Sequence, residues 1–402
     1  MTFDVAVVGL GLMGSAALRH LSRRGVSAIG IGPAEPDVWA THTGPFASHY
    51  DSGRVTRRLD ARREWAVLAS RSIEQYPVIE AASGITFHHP VGHVFVRNDT
   101  AGVANQRAVI DELDLPVTIG STDERGGDFP EFAFPSGWTL LHEPGPAGYI
   151  DPRRMARAQL AVALQMGATL RRTSVAAVRR QSGRYRVECA GDSPVDAERV
   201  LIATGPYLND LLPHPLAGRV VPEATVLARV TPEEAKRLSG LPTLIYLLDH
   251  PLHDDVYLVP PVRYPDGHYY LKLGGSYSPA NALSSAEAKR LWMAGNAADE
   301  QRNSMREVLE KLLPEVSFES LTMKPCLITD TVHGLPFVDQ VEDGMFVAVG
   351  GNGHAAKSAD AIGALAANLM VSGRWDDPDL AAPAFAAVFG EYRPDPGSRH
   401  DN

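Results

Sequence analysis

Phe3–Val8 reads FDVAVV, and Gly9-Leu10-Gly11-Leu12-Met13-Gly14 follows it directly. A short β-branched apolar run closed by glycine has the pattern of a parallel strand buried on both faces. The next stretch, SAALRHLSRRG, places Ala17, Leu18 and Leu21 at helical spacing, sets His20, Arg23 and Arg24 in the last turn, and stops at Gly25. Val26–Ile31 (VSAIGI) is a second strand. Strand, glycine turn, helix and strand within about thirty residues is the setting in which G-x-G-x-x-G binds a dinucleotide. Gly9 allows the tight turn and Gly11 lets the backbone approach a pyrophosphate. Leu12 and Met13 open the helix whose N-terminus faces the phosphates, and Gly14 lets helix and strand pack closely. One feature departs from this pattern. The acidic residue expected at the end of the second strand, for the ribose hydroxyls, is Gly32. Either Glu35 reaches back or that contact is lost.

The chain has 402 residues, 44% of them hydrophobic and 21% charged, a composition that suits two folded domains and argues against disorder. Its 38 basic and 48 acidic side chains give a net charge of -10 with no basic run, which argues against a nucleic-acid partner. Two cysteines, Cys189 and Cys326, exclude a disulfide framework and a multi-thiolate zinc site, so the chain is expected to be reduced and cytoplasmic. The apolar start lacks a cationic leader and is broken by glycines, and no run reaches the ~18 apolar residues of a membrane span. Arginine outnumbers lysine 32 to 6, and the first lysine is Lys236. Each lysine therefore invites a local explanation.

A second nucleotide-type strand lies at Glu198–Gly205 (ERVLIATG), preceded by a helical stretch at Pro152–Met166 and a strand-like GATLRR. The nucleotide fold thus resumes near residue 145 after an excursion. Val91–Arg97 and the runs VLARV, TLIYLL, DVYLVPP and HYYLKLGG within 216–320 suit an antiparallel sheet, followed by a polar helix near 284–313. Met345–Gly351 leads through Asn352-Gly353-His354-Ala355-Ala356-Lys357 into another helix, a second glycine turn feeding a helix N-terminus that can stabilise negative charge. His88 and His89 have no acidic or thiol partner at ligand spacing, so no metal site is expected.

Five segments in order resemble the monomeric sarcosine oxidase family, within the D-amino-acid-oxidase-like flavoproteins. They are GLGLMGSAA, Ser48–Arg57 (SHYDSGRVTR, similar to the family's SHHGDTRIIR), Tyr269–Gly274 (YYLKLG), Lys324-Pro325-Cys326, and Gly353–Lys357 (GHAAK). The resemblance implies an α/β chain with a Rossmann-like FAD domain at 1–80, 146–215 and 322–402. A substrate domain built on an antiparallel sheet would occupy 81–145 and 216–321. It implies oxidation of a secondary or N-methylated amino acid to an imine, with dioxygen reduced to hydrogen peroxide, in an enzyme expected to be monomeric. FAD would contact Gly9, Gly11, Leu12, Met13, Gly14, Ser48, Arg54, Val175, Thr204, Gly205, Gly351, Gly353, His354 and Lys357, and be bonded covalently through Cys326.

The same resemblance assigns Arg57 and Lys357 to a substrate carboxylate, Lys272 to dioxygen activation and Tyr257 to the active site. A planar guanidinium suits a carboxylate, although most of Arg54, Arg57, Arg58, Arg62 and Arg63 are expected to be solvated. Lys357 begins a helix, where a cation is unfavourable for the dipole, in a chain that prefers arginine. For Lys272, strand alternation alone would point the side chain outward, with Leu271 and Leu273 inward. Cys326 could equally be a small buried hydrophobe. Cys189 is expected to be structural. Ser276 stands where the family often has a histidine near the substrate, and Ser52 and Gly53 replace an acid and a threonine. These departures suggest a flavin site retained and a substrate pocket changed. The rival readings are a dehydrogenase or demethylase of the same fold with another acceptor or amine, and a flavin-binding protein without turnover. A NAD-dependent enzyme would leave the distal segments unexplained.

Overall fold

The computed structural model describes residues 2–275, 281–295 and 299–394, the side chains of 299 and 300 excepted. Thr2–Val8 is the central strand of the first sheet. It pairs in parallel with Ala28–Ile31 on one side and Val195–Ile202 on the other, and Thr169–Arg171 extends the sheet beyond Ala28–Ile31. Helix Leu12–Arg23 makes the crossover. Val5 and Val7 pack on that helix and on helix Ala355–Ser372, while Ala6 and Val8 pack into a cluster with Phe46 and Tyr50. Both faces are covered, which is why the strand is apolar throughout. Val195–Ile202 uses its first half to pair antiparallel with Arg184–Cys189 and its second half to pair in parallel with Met345–Val349.

The second sheet runs in the order Ser320–Thr331, Gly218–Val230, Tyr269–Gly274, Asp255–Arg263, Thr243–Leu247, His93–Arg97, Thr139–Glu143, Thr118–Ser121. The expected antiparallel sheet proves mixed, because Thr243–Leu247 runs parallel to His93–Arg97. Ser320–Thr331 belongs to this sheet and straddles the boundary expected at residue 322. The polar helix expected near 284–313 is two helices, Ala286–Ala294 and Asp299–Leu312.

Alternation along these strands decides what faces what. Ala224, Val226, Val256, Leu258, Leu271, Leu273 and Met323 form one face, packed against Met305, Val308, Leu309 and Leu312 of the second helix. By the two-residue period, Glu223, Tyr257, Lys272, Lys324 and Cys326 point to the other face. That face meets the first sheet, so Lys272 alternates away from Leu271 and Leu273 as expected but is buried there rather than solvated. Gly274 lies opposite Tyr257 across the strand pair, and a Cβ at Gly274 would come within 2.3 Å of the tyrosine ring, so glycine is what admits the ring. The Ser320–Thr331 strand also reaches back to the first unit. Thr331 donates its N–H to the Asn352 side chain at 2.8 Å, and the Asn352 N–H donates to Thr329 at 2.9 Å.

Candidate active site

One cavity of about 850 Å³ lies between the sheets. At one end it is lined by Gly9, Gly11, Leu12 and Met13, and along its length by Ser48, Val175, Thr204, Gly205, Gly351, Gly353 and His354. Farther on it is lined by Arg54, Arg57, Tyr257, Cys326 and Lys357. The fold therefore gathers lining residues from four of the five segments that carried the resemblance, and the fifth, Tyr269–Gly274, contributes none. Two expected residues stand back from the wall. Gly14 is buried in the helix–strand contact, where a Cβ would lie 1.9 Å from the Gly9 carbonyl oxygen. Lys272 sits behind Tyr257, its ammonium 5.3 Å from the ring centroid. Ser276 lies outside the described residues.

The glycine end fits a bound pyrophosphate. Gly9 has φ of 100°, and any Cβ there would meet the Ala203 carbonyl oxygen at 2.3 Å. Neither helix that starts at the cavity, Leu12–Arg23 or Ala355–Ser372, has a side-chain N-cap bond or an acid in its first turn. Their positive dipole ends are left for an anion, although in the second helix the Ala355 N–H already donates to the Gly351 carbonyl at 3.1 Å. Glu35, the substitute for the missing ribose acid, does not line this cavity. Arg153 holds it at 2.7 Å beside a neighbouring one.

At the other end, Arg54 donates to Cys326 Sγ at 3.0 Å, to the Ser48 carbonyl at 3.2 Å and to the Tyr257 hydroxyl at 3.3 Å. Tyr257 in turn donates to Glu223 at 3.3 Å. Glu223 is the register partner of Cys326 on the adjacent strand and is 8% exposed. Burial pushes its carboxyl up to about 7 against the pull of Arg54 and Lys272, with Asp255 adding to the rise. The sequence reading missed Glu223. Its only signal was an acid inside the apolar strand Gly218–Val230.

Asp51 was missed too. It accepts from Lys272 at 2.5 Å and from the Tyr264 hydroxyl at 2.8 Å, and lies 3.3 Å from Arg54. Burial opposes its charge, yet Lys272, Arg54 and Lys324 outweigh that and hold the carboxyl well below the usual range. Burial and Arg54 push Lys272 down although Asp51 opposes them. At 2.5 Å, with both groups buried, the charged pair is the state the geometry supports. Lys324 donates to the Tyr50 carbonyl at 2.6 Å and lies over the Trp39 ring at 4.3 Å.

Arg57 and Lys357 do converge, as expected, and both are buried. Between them stands an internal carboxylate. Asp60 accepts from Lys357 at 2.5 Å and lies 3.3 Å from Arg57 and 3.1 Å from His354 Nδ1. Burial works against the Asp60 charge, but Lys357, His354 and Arg57 hold it well below the usual range. Burial, then Arg57, pushes Lys357 down to about 8 despite Asp60, and burial lowers His354 to about 4. Glu143, buried nearby, accepts from the backbone N–H groups of Arg58 and Leu59. The arginine cluster is not mainly solvated: Arg57 is buried and Arg54, Arg58, Arg62 and Arg63 are only partly exposed. The sequence could not show that Asp51 and Asp60 pair with Arg54 and Arg57 inside the fold.

His88 bonds the Pro146 carbonyl oxygen at 2.8 Å and His89 stacks on Tyr149 at 4.5 Å. Among the described residues, no three His, Cys, Asp or Glu side chains gather as a metal set, and no helix is long and apolar enough to cross a membrane. Both cysteines are free and buried.

A glycine cradle under two helix N-termini without side-chain caps, joined to a long cavity between two mixed sheets, fits a flavoprotein oxidoreductase. The chain belongs to the FAD-dependent oxidoreductase family, whose profile matches residues 4–369. Among relatives, it is 24% identical over 388 residues to a monomeric sarcosine oxidase of Bacillus sp., covering 92% of this chain and 93% of that one. A Streptomyces avermitilis monomeric sarcosine oxidase is 33% identical over 171 residues, covering 42% of this chain and 43% of that enzyme. An N-methyl-L-tryptophan oxidase of Yersinia pestis is 25% identical over 217 residues, 53% of this chain and 56% of that protein. In fold, the chain is similar to NikD, an unusual amino acid oxidase essential for nikkomycin biosynthesis. The TM-score is 0.76 at 19% identity, over 96% of this chain and 98% of that one.

Proposed function

We propose that the chain is an FAD-dependent amine oxidase acting on a secondary or N-methylated amine, with dioxygen as electron acceptor and hydrogen peroxide as product. The observation that carries this reading is the single cavity that joins the glycine cradle to Cys326, Arg54, Tyr257, Arg57 and Lys357. The two-sheet arrangement supports a division into a cofactor unit and a substrate unit, with Ser320–Thr331 assigned to the second.

FAD bound here supplies the two-electron acceptor that no side chain can provide. The chain's part is to bind, orient and polarise. The backbone around Gly9, Gly11, Leu12 and Met13 and the start of helix Leu12–Arg23 would hold the pyrophosphate. The N-terminus of helix Ala355–Ser372 also lines the cavity, and its positive dipole end would favour negative charge on a bound flavin. Cys326 lines the cavity, which supports the reading that it would hold a flavin through a thioether. Asp51 fixes Lys272 and Arg54 behind this corner, and cations held there would favour electron transfer to dioxygen. Tyr257, gripped between Arg54 and Glu223, fixes one wall of the substrate space.

A screen of secondary and N-methylated amines and amino acids for peroxide release tests the reading. A yellow protein that releases peroxide with one of them is the expected result. Bleaching of the flavin by an amine without peroxide would send the electrons to another acceptor. No bleaching by any amine would end the proposal.

A further inference from the structure

The charges along the cavity are not arranged for the ligand that the two converging cations suggest. Arg57 and Lys357 already share a carboxylate. Asp60 is 2% exposed, sits three residues from Arg57, and meets Lys357 at 2.5 Å. It is fixed from a third side, since its other oxygen accepts the Arg62 backbone N–H at 3.1 Å. Glu143 is a second buried acid felt by both cations. His354, in contact with Asp60, is held neutral by burial and adds no positive charge near neutral pH. Two cations therefore face two acids before any ligand enters. A substrate carboxylate would have to displace Asp60 and bury it against itself, a like-charge contact in a low-dielectric site.

Beside Tyr257 the cavity carries acids of its own, next to Arg54. Glu223 and Asp255 both line it, and Asp255 adds to the burial that raises the Glu223 carboxyl. Glu223 takes a hydrogen bond from Tyr257 on one oxygen, and the Arg54 guanidinium is directed to Cys326, Ser48 and Tyr257 rather than to it. Glu223 stands on the same sheet face as Tyr257 and opposite Cys326, so it borders the same stretch of the cavity as both. A buried acid of this kind is a receptor for a cationic or N–H-donating ligand.

Taking the amine oxidase reading as its basis, we propose that the substrate is an amine without a carboxylate beside its reacting nitrogen, and that Glu223 recognises its positive charge. Asp60 then serves as a built-in occupant of the site where an amino-acid carboxylate would otherwise bind. Recognition passes from the carboxylate of the substrate to its ammonium.

Matched pairs test this on the FAD-loaded protein. N-Methyl-L-tryptophan and N-methyltryptamine differ only by the carboxylate, as do N-methyl-L-phenylalanine and N-methylphenethylamine. Anaerobic flavin reduction is followed with each, and acetate binding is followed by calorimetry and by the flavin difference spectrum. The expected wild-type result is that the decarboxylated member of a pair has the higher kcat/KM by about tenfold or more, and that millimolar acetate does not bind. In Glu223→Gln the KM for that amine should rise by about tenfold with flavin content unchanged. In Asp60→Asn acetate binding should appear. A wild type that prefers the N-methyl amino acid and binds acetate in competition with it would overturn the inference and leave the amine oxidase reading standing. If no member of either class reduces the flavin, that reading falls and takes the inference with it. The wild-type comparisons decide the matter even if a variant fails to fold, which its flavin content and circular dichroism would reveal.

Discussion

Asp51→Asn keeps the size of the side chain and removes its charge. In the native protein that carboxylate receives the Lys272 ammonium at 2.5 Å and the Tyr264 hydroxyl at 2.8 Å, and Arg54 lies 3.3 Å away. Lys272 is 1% exposed and its remaining partner is the Gly53 carbonyl oxygen at 3.0 Å. Without the carboxylate, a buried ammonium is left without a counter-charge, a loss of about 3–5 kcal/mol. Unfolding entropy of about 2.1 cal/mol/K per residue gives about 0.8 kcal/mol/K for a chain of this length, so the Tm should fall by about 4–6 °C. Lys272→Met strands the carboxylate instead and should cost a similar amount. The double variant removes both charges and leaves an amide that can still bond Tyr264. Its Tm should therefore lie well above the sum of the two single losses, with a coupling energy of about 2 kcal/mol or more. Thermal unfolding of the four proteins, matched for flavin content, measures the cycle. Single variants within about 1 °C of wild type, or losses that simply add, would show that this ion pair is not what ties the Ser52–Gly53 loop to strand Tyr269–Gly274.

If Cys326 bonds the flavin, acid precipitation should carry the yellow colour down with the wild-type protein and leave it in the supernatant with Cys326→Ala. Colour in the wild-type supernatant would refute the bond while leaving FAD binding intact. Lys272→Met should slow reoxidation by dioxygen far more than anaerobic reduction by amine in stopped-flow measurements, and equal losses would make the residue structural only. The Glu223 carboxyl is raised from 4.5 to about 7, so the folded state holds its proton more tightly than the unfolded state. Its contribution is present below pH ~4.5 and is lost as pH rises through ~7, a swing of about 3 kcal/mol. Glu223→Gln should flatten that part of the stability profile in urea titrations, and an unchanged slope would mean the acid titrates normally.

Much of the cofactor end could be read in the chain because its requirements are local. A strand, three glycines and a helix specify their own geometry within thirty residues, and the turn at Gly350–Gly353 does the same at the far end. Cys326, Tyr257 and Lys272 were named only through the resemblance, since alternation, which puts every second residue of a strand on one face, by itself left Lys272 facing solvent. The partners were not legible, because each is set by a contact distant in sequence. Asp51 meets Lys272 across 221 residues and Asp60 meets Lys357 across 297. Periodicity in either segment carries no trace of the other. The arginine cluster at 54–63 shows the cost most plainly: without Asp60, Glu143 and Asp51 in view, solvent was the natural place for it. The parallel contact between Thr243–Leu247 and His93–Arg97 escaped for the same reason, since each run alone looks like any other half-buried strand.

The strand Ser320–Thr331 has a mechanical consequence. It is laddered into the second sheet from Ser320 to Thr331, and at its end Thr329 and Thr331 are bonded as well to Asn352 in the turn that opens the last helix. A single extended segment thus spans both layers and is hydrogen-bonded at each end, much as a splint crosses a joint. Bending the layers apart about a hinge would break the Asn352 bonds within the cofactor turn itself. Ligand entry is therefore expected to leave the two layers locked. Traffic is left to the cavity's rim, where Asp210, Glu287 and Arg290 stand, so that shortening rim side chains should change the rate of entry without loosening the grip on the cofactor.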